Sequence, residues 1–291
     1  MIINFGSINI DHVYRVPHFV APGETLGSTA YSKGLGGKGF NQSIALYRAG
    51  ADVRHVGCIG VDDAAAGAWL HKQLTGLGLD LSGIQAVETA TGHALIQVND
   101  EGENCILLYP GANHELTDAQ INAELSNNAA EWVLLQNETN AIDTIIHQAH
   151  AAGKKVVFNP APCRPELAQL PLHKLHTLIV NEIEAQQLSG MNDLQQALDK
   201  LSTLCPNIIL TLGGDGVRYI GQAGQHTVAA KKVEVVDTTA AGDTFIGYYL
   251  ASIEDGMDVR AALERANAAA AITVTRLGAV SAIPFAHELT N

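Results

Sequence analysis

The sequence predicts an α/β fold: a three-layer α/β/α core around a mostly parallel sheet, with a small accessory β-sheet attached. Two observations carry that expectation. Short apolar, β-branched runs alternate with longer alanine-rich helical patterns, and near-continuous apolar strands belong to a parallel sheet covered on both faces. Four further strand-like runs come without helices of their own and form a separate, smaller sheet. Size agrees: 291 residues, 47% hydrophobic and 16% charged, are ample for a large core and approach the limit of one domain.

The core strands are read at IINF (2–5), VRHVGCI (53–59), WVLLQ (132–136), KVVFN (155–159), TLIV (177–180) and NIILTL (207–212). Helical patterns fall at 40–49, 64–77, 117–130, 139–152, 183–188 and 193–204, and two alanine-rich helices, about 243–254 and 258–275, close the chain. The pattern breaks twice. HVYRV (12–16) and LGSTAYSKG (26–34) flank a proline-containing turn, and HALIQVN (93–99) with NCILLYPG (104–111) reads as a hairpin. The expected division is therefore a core of 1–11, 34–87 and 111–291, and an accessory β-sheet, the lid of the resemblance drawn below, of 12–33 and 88–110. So small a sheet cannot bury both faces alone; it must cover something or pair with another copy.

The formal net charge is −13, a surface that repels nucleic acid and anionic membranes. Cys58, Cys105, Cys163 and Cys205 lie far apart and read as free thiols of a reducing compartment. The start MIINFGSINIDHVYRV lacks a basic n-region, and no apolar run approaches a membrane span, so a cytoplasmic protein is expected.

DTTAAGDTFIG (237–247) sets a carboxylate, Asp243, at the start of a helix, where free N–H groups suit an anion. Asp243 is either a helix cap or a group that handles a proton beside an anion held by those amides. GLGGKG (34–39) fits G-x-G-x-x-G, but the first strand is at 2–5, the residues just before Gly34 are polar, and Lys38 precedes Gly39 rather than Ser or Thr. Dinucleotide and Walker readings are thereby disfavoured, and what remains is a glycine turn close to a ligand, with Lys38 and Asn41 as polar groups. In SINIDH (7–12), Asn9 and Asp11 alternate with Ile8 and Ile10, so both point to one side and suit neighbouring sugar hydroxyls; a solvated loop is the plainer reading. Glu138 follows a buried strand in LLQNET. Asn181 and Glu184 in VNEIEA are three apart at a helix start, as a cap or as part of a metal–phosphate site. TLGGDG (211–216) is a strand followed by a tight turn.

Taken together, GSINIDH, GGKGFNQ, TGHALIQVNDEGEN, NPAP, NEIEA, TLGGDGV, DTTAAGDTF and AAAAITVTRLGA, in that order, resemble the ribokinase-like, or PfkB, family of carbohydrate kinases from residue 3 to about 285. DTTAAGD is the specific element; GGKG and NPAP support it. The resemblance implies an ATP-dependent kinase of ribose making ribose 5-phosphate, with Mg2+, a monovalent cation such as K+, and a homodimer paired through the lids. It implies Asp243 as catalytic base and the amides of Ala240, Ala241 and Gly242 as anion hole. It maps sugar contacts onto Asn9, Asp11, Gly37, Lys38, Asn41 and Glu138. Nucleotide or magnesium contacts fall on Asn181, Glu184, Thr211, Gly213, Gly216, Gly242 and Asn267. A monovalent-cation loop falls on Asp237, Thr239, Thr273, Arg276 and Gly278, mostly through carbonyls. Phe40 and Ala282 depart from the family pattern, the first inside the sugar motif and the second where a serine often completes the cation shell. Competing readings are the same chemistry on deoxyribose, another pentose or a nucleoside, a nucleotide-dependent oxidoreductase built on GLGGKG, and a non-catalytic sugar sensor.

Overall fold

The computed structural model describes residues 1–61 and 72–290. Strands β1 (Ile2–Phe5), β4 (Val53–Gly60), β5 (Asp80–Val87), β8 (Trp132–Gln136), β9 (Lys155–Asn159), β10 (Thr177–Asn181), β11 (Asn207–Thr211), β12 (Val217–Gly221) and β13 (Gly224–Val228) form one sheet. Its order is β13-β12-β11-β10-β9-β8-β1-β4-β5. Pairing is parallel from β5 through β11, and antiparallel only along β11–β12–β13. Alternation along the central strands builds the layers. Ile2, Leu134, Val157, Ile179 and Ile209 enter one core; Ile3, Val133, Val156, Leu178 and Ile208 enter the other. Helices α1 (Lys38–Ala49), α6 (Ala241–Glu254) and α7 (Val259–Thr273) cover the first. Helices α2 (Asp118–Leu125), α3 (Ile142–Ala151), α4 (Glu182–Ser189) and α5 (Leu194–Leu204) cover the second. The helix expected at 64–77 falls largely outside the described residues; 72–75 are helical.

The smaller sheet has order β3-β2-β6-β7, from β2 (Asn9–Arg15), β3 (Ala30–Gly36), β6 (Gly92–Val98) and β7 (Asn104–Tyr109). The β2–β6 pair is parallel and its other two pairings are antiparallel. Strand β2 begins at Asn9 rather than His12, because the chain runs from β1 through Gly6–Ile8 straight into this sheet. Register gives the sheet two unlike faces. Asp11, Val13, Arg15, Ile96 and Ile106 share one; His12, Leu95 and Leu107 share the other. Apolar side chains stay open on both faces, with Ile106 at 55% and Leu107 at 68% exposure.

Candidate active site

The start of α1 is pinned against β1. Gly37 caps the helix at φ 93°, and its carbonyl accepts from Asn41 N at 2.9 Å. A Cβ on Gly39 would lie 2.3 Å from Gly6 Cα and 2.4 Å from Ser7 N, so GGKG is a close backbone crossing that excludes a side chain there. That crossing sets Lys38, Asn41 and Gln42 over the carboxyl end of β1. Glu138, just past β8, ties the crossing down. Its Oε2 accepts from Ser7 Oγ at 2.5 Å and from Lys38 N at 2.7 Å. Burial raises the Glu138 carboxyl above its usual range, against the lowering influence of Ser7 and Lys38. The Lys38 ammonium is held above its ordinary range by Asp243, and further by Glu138 and Glu184, despite its burial. Phe40 faces away from the site: it is fully buried, with its ring 5.7 Å from that of His55, edge-on.

Asp243 sits in the first turn of α6 and is 7% exposed. It does not cap the helix. The capping position is Ala240, at φ 60° and ψ 9°, with no side-chain cap bond. A left-handed alanine is strained by roughly 1–2 kcal/mol. The Asp243 carboxylate turns inward instead: Oδ1 accepts from Gln42 Nε2 at 2.8 Å and Oδ2 from Asn41 Nδ2 at 3.1 Å. Of the amides expected to form an anion hole, Ala241 N is drawn toward Thr238 O at 3.2 Å. Among the described residues the amides of Gly242 and Asp243 have no backbone partner, and a Cβ on Gly242 would meet nothing within 4 Å. No partner is seen for the Ala240 amide among the described residues either, so the open N–H groups of the expected hole are those of Ala240 and Gly242, with Ala241 partly engaged.

On the small-sheet side, Asn9 is buried and its Oδ1 accepts from Asn113 Nδ2 at 2.7 Å; Asn113 Oδ1 accepts from Ile8 N at 2.8 Å. Asp11 packs its carboxylate against Gly36, where a Cβ would lie 1.9 Å from Oδ2. Burial first, and Glu138 second, push the Asp11 carboxyl up to about 7. A cleft of about 990 Å³ opens between this face and the loops 235–239 and 277–281, with Asp11, Val13, Arg15 and Ile96 in one wall and Asp237, Thr239 and Gly278 in the other.

On the opposite side, Asn181 and Glu184 form a capping box at the start of α4. Asn181 Oδ1 accepts from Glu184 N at 2.8 Å, and Glu184 Oε2 accepts from Asn181 N at 2.9 Å. The capping reading therefore holds for both residues. Burial still raises the Glu184 carboxyl, and its field reaches Lys38 and Asp243, so it borders the same centre. Thr211 ends β11 with Oγ1 3.4 Å from Val180 O. Gly213 and Gly216, at φ 54° and 107°, make the turn into β12. Asn267 Nδ2 donates to Val228 O and Ala229 O, both at 3.3 Å, which ties α7 to the end of β13.

Asp237 knits the expected cation loop. Its Oδ1 accepts from Thr239 N and Oγ1 at 2.9 and 2.6 Å, and its Oδ2 accepts from Gly278 N at 2.9 Å. Those bonds hold its carboxyl low despite the opposing effect of burial. Thr273 Oγ1 donates to Thr244 Oγ1 at 3.0 Å, joining this loop to the first turn of α6. Arg276 turns its guanidinium to Glu288 at 2.6 Å. Ala282 is fully buried, and the Ser281 hydroxyl donates to Leu277 O at 3.1 Å.

The sequence reading missed Ser7, Gln42 and Asn113, although each binds a residue it had singled out. Gln42 lies in the quoted GGKGFNQ, but nothing local marks it as a partner of Asp243, 201 residues away.

Residues 1–286 match the model of the pfkB family carbohydrate kinases. The chain is 36% identical over 293 residues to a ribokinase of Haemophilus influenzae, covering 97% of this chain and 95% of that one. It is 32% identical to a deoxyribokinase of Salmonella typhi, covering 98% and 96%. The structure of an Arabidopsis thaliana ribokinase complexed with ribose and ATP superposes with a TM-score of 0.87 at 26% identity, covering 99% and 97%. The chain belongs to the pfkB family of carbohydrate kinases. It is an α/β enzyme that moves a phosphoryl group from ATP to a sugar hydroxyl.

Proposed function

We propose that the sugar is D-ribose and that the enzyme transfers the γ-phosphoryl group of ATP to its terminal 5-hydroxyl, giving D-ribose 5-phosphate. The observation that carries the reading is the start of α6: an inward-turned Asp243 carboxylate next to open helix N–H groups at Gly242 and Asp243. Asp243 accepts the proton of the 5-hydroxyl as its oxygen attacks phosphorus. The amides, with the helix dipole behind them, stabilise charge on the transferring group; one such donor is worth roughly 10²–10³ in turnover. Lys38, held in its charged form chiefly by Asp243, is a further sugar contact beside it. Asn9, Asp11, Asn41 and Glu138 hold the sugar. Asn113 commits one end of the Asn9 amide, so the Nδ2 end is the part left to meet a hydroxyl. A site that hydrogen-bonds adjacent hydroxyls leaves polar groups unpaired with a deoxy sugar, which favours ribose over deoxyribose.

Asn181, Thr211, Gly213, Gly216 and Asn267 border the nucleotide. Mg2+ arriving with ATP neutralises charge on its phosphates, and Glu184 is the carboxylate suited to it through water: half-buried, with one oxygen engaged by the Asn181 amide. The loop of Asp237, Thr239, Thr273, Arg276 and Gly278 offers hard oxygen donors suited to a monovalent cation, with Asp237 holding its two strands together. Ala282 supplies no side-chain oxygen there, so the dependence on K+ is expected to be weak. The small sheet closes over the sugar, and its outer face, with Leu95 and Leu107, pairs with a second copy in a cytoplasmic homodimer. A panel of sugars and nucleosides with ATP, scored by ADP release, tests the substrate: ribose must give the highest kcat/KM. A higher value with deoxyribose or a nucleoside would reassign it.

A further inference from the structure

We propose that Gln42 is the positioning residue of the catalytic centre: it locks Asp243 in its reacting orientation through a chain of buried amides anchored on a backbone carbonyl. The inference rests on Asp243 acting as the base.

The anchor is Asn4, in the middle of β1. Asn4 Nδ2 donates to Gly39 O at 2.7 Å and to Ser43 Oγ at 2.8 Å. A carbonyl oxygen only accepts, so the Asn4 amide has one possible orientation, and its Oδ1 must accept in turn. Gln136 Nε2, at the end of β8, donates to that Oδ1 at 3.0 Å and to Gln42 Oε1 at 2.7 Å. With Oε1 committed as an acceptor, Gln42 must present Nε2 outward. That Nε2 donates to Asp243 Oδ1 at 2.8 Å and lies 3.4 Å from Asn159 Oδ1. Asn159 is itself fixed, since its Nδ2 donates to Ile179 O at 3.0 Å. Asn4, Gln42, Gln136 and Asn159 are all buried. The backbone carbonyls of Gly39 and Ile179 thus dictate the sense of every amide up to the carboxylate.

A neutral donor suits this place. It gives the carboxylate a hydrogen bond without carrying an ionisable proton of its own, and it holds one oxygen still before the sugar arrives. The charged groups facing Asp243 are Lys38 from α1, Glu138 after β8 and Glu184 from α4. Gln42 replaces none of their charges; it sets direction.

The test compares Gln42→Met with Gln42→Glu, using Asp243→Asn as reference. Met keeps the length and removes the donor. Glu keeps the shape and can still accept from Gln136, but it sets a second carboxyl against Asp243. Loss of a charge-assisted hydrogen bond predicts a fall in kcat of about 10–150-fold for Met, with both KM values within about 3-fold of wild type. Gln42→Glu should lose at least as much kcat, because its carboxylate offers Asp243 no donor and repels it, again with both KM values within about 3-fold of wild type. If Gln42→Met does not fold, Gln42→Glu decides alone. Wild-type kcat in the folded variants, with Asp243→Asn inactive, overturns the positioning role and leaves the base intact. An active Asp243→Asn overturns the base reading itself.

Discussion

Asp11→Asn should make the free enzyme more stable at pH 8 while weakening its grip on sugar. The Asp11 carboxyl is raised from 3.8 to about 7 by burial and by Glu138. Between those two values the unfolded chain has released this proton and the folded chain still holds it. Stability therefore falls as pH rises from about 4 to 7, then stays level. A rise of about three pH units at 1.36 kcal/mol each caps the penalty at about 4 kcal/mol. Asparagine has the same shape and does not titrate. Urea unfolding of both proteins at pH 4, 6 and 8 should show equal stability at pH 4 and an advantage for the variant that grows to as much as about 4 kcal/mol at pH 8. The sugar KM should rise about 10–150-fold, the usual result of losing a charged hydrogen bond, with the ATP KM little changed. A variant less stable than wild type at pH 8, or a difference that does not vary with pH, would refute the argument. Equal effects on both KM values would remove Asp11 from the sugar site.

Gly242→Ala should fold with stability within about 0.5 kcal/mol of wild type, because its Cβ meets nothing, yet lose at least about 10-fold in kcat by crowding the open amides; normal turnover would place the anion hole elsewhere. Leu107→Asp, on the outer face of the small sheet, should dissociate the proposed dimer in sedimentation at micromolar concentration, and a wild type that is already a monomer with full activity would refute that proposal. Ile106→Asp, in the cleft wall, should leave association intact and raise ATP hydrolysis relative to sugar phosphorylation; unchanged coupling would mean that this face does not close on the site.

The central strands were legible because they are buried on both sides. IINF, WVLLQ and KVVFN appear with the bounds their apolar runs give. The edges were not. Strand β5, DLSGIQAV, mixes exposed and buried positions without a clean period, and β12–β13, VRYIG and GQHTV, open one side to solvent, so neither carries a continuous apolar signal. Site residues carried by short motifs were found because glycine turns and strand ends punctuate the sequence. Their supports were not, because they depend on contacts across the fold: Gln136 meets Gln42 across 94 residues, and Asn113 meets Asn9 across 104. Asn181 and Glu184 show the converse: their spacing left a cap and a metal–phosphate site both open, and the structure contains the capping box.

The central claim is that Asp243 deprotonates the 5-hydroxyl of ribose for attack on ATP. Its most direct measurement is product formation from ribose, ATP and Mg2+ by wild type and Asp243→Asn, followed by phosphorus NMR, with binding of both substrates measured on the same proteins. The account predicts phosphate coupled to carbon 5 of ribose in the wild type. In the variant it predicts near-normal binding and turnover lower by about 10²–10⁴. A variant within a few-fold of wild type, or phosphate at another carbon, would contradict it.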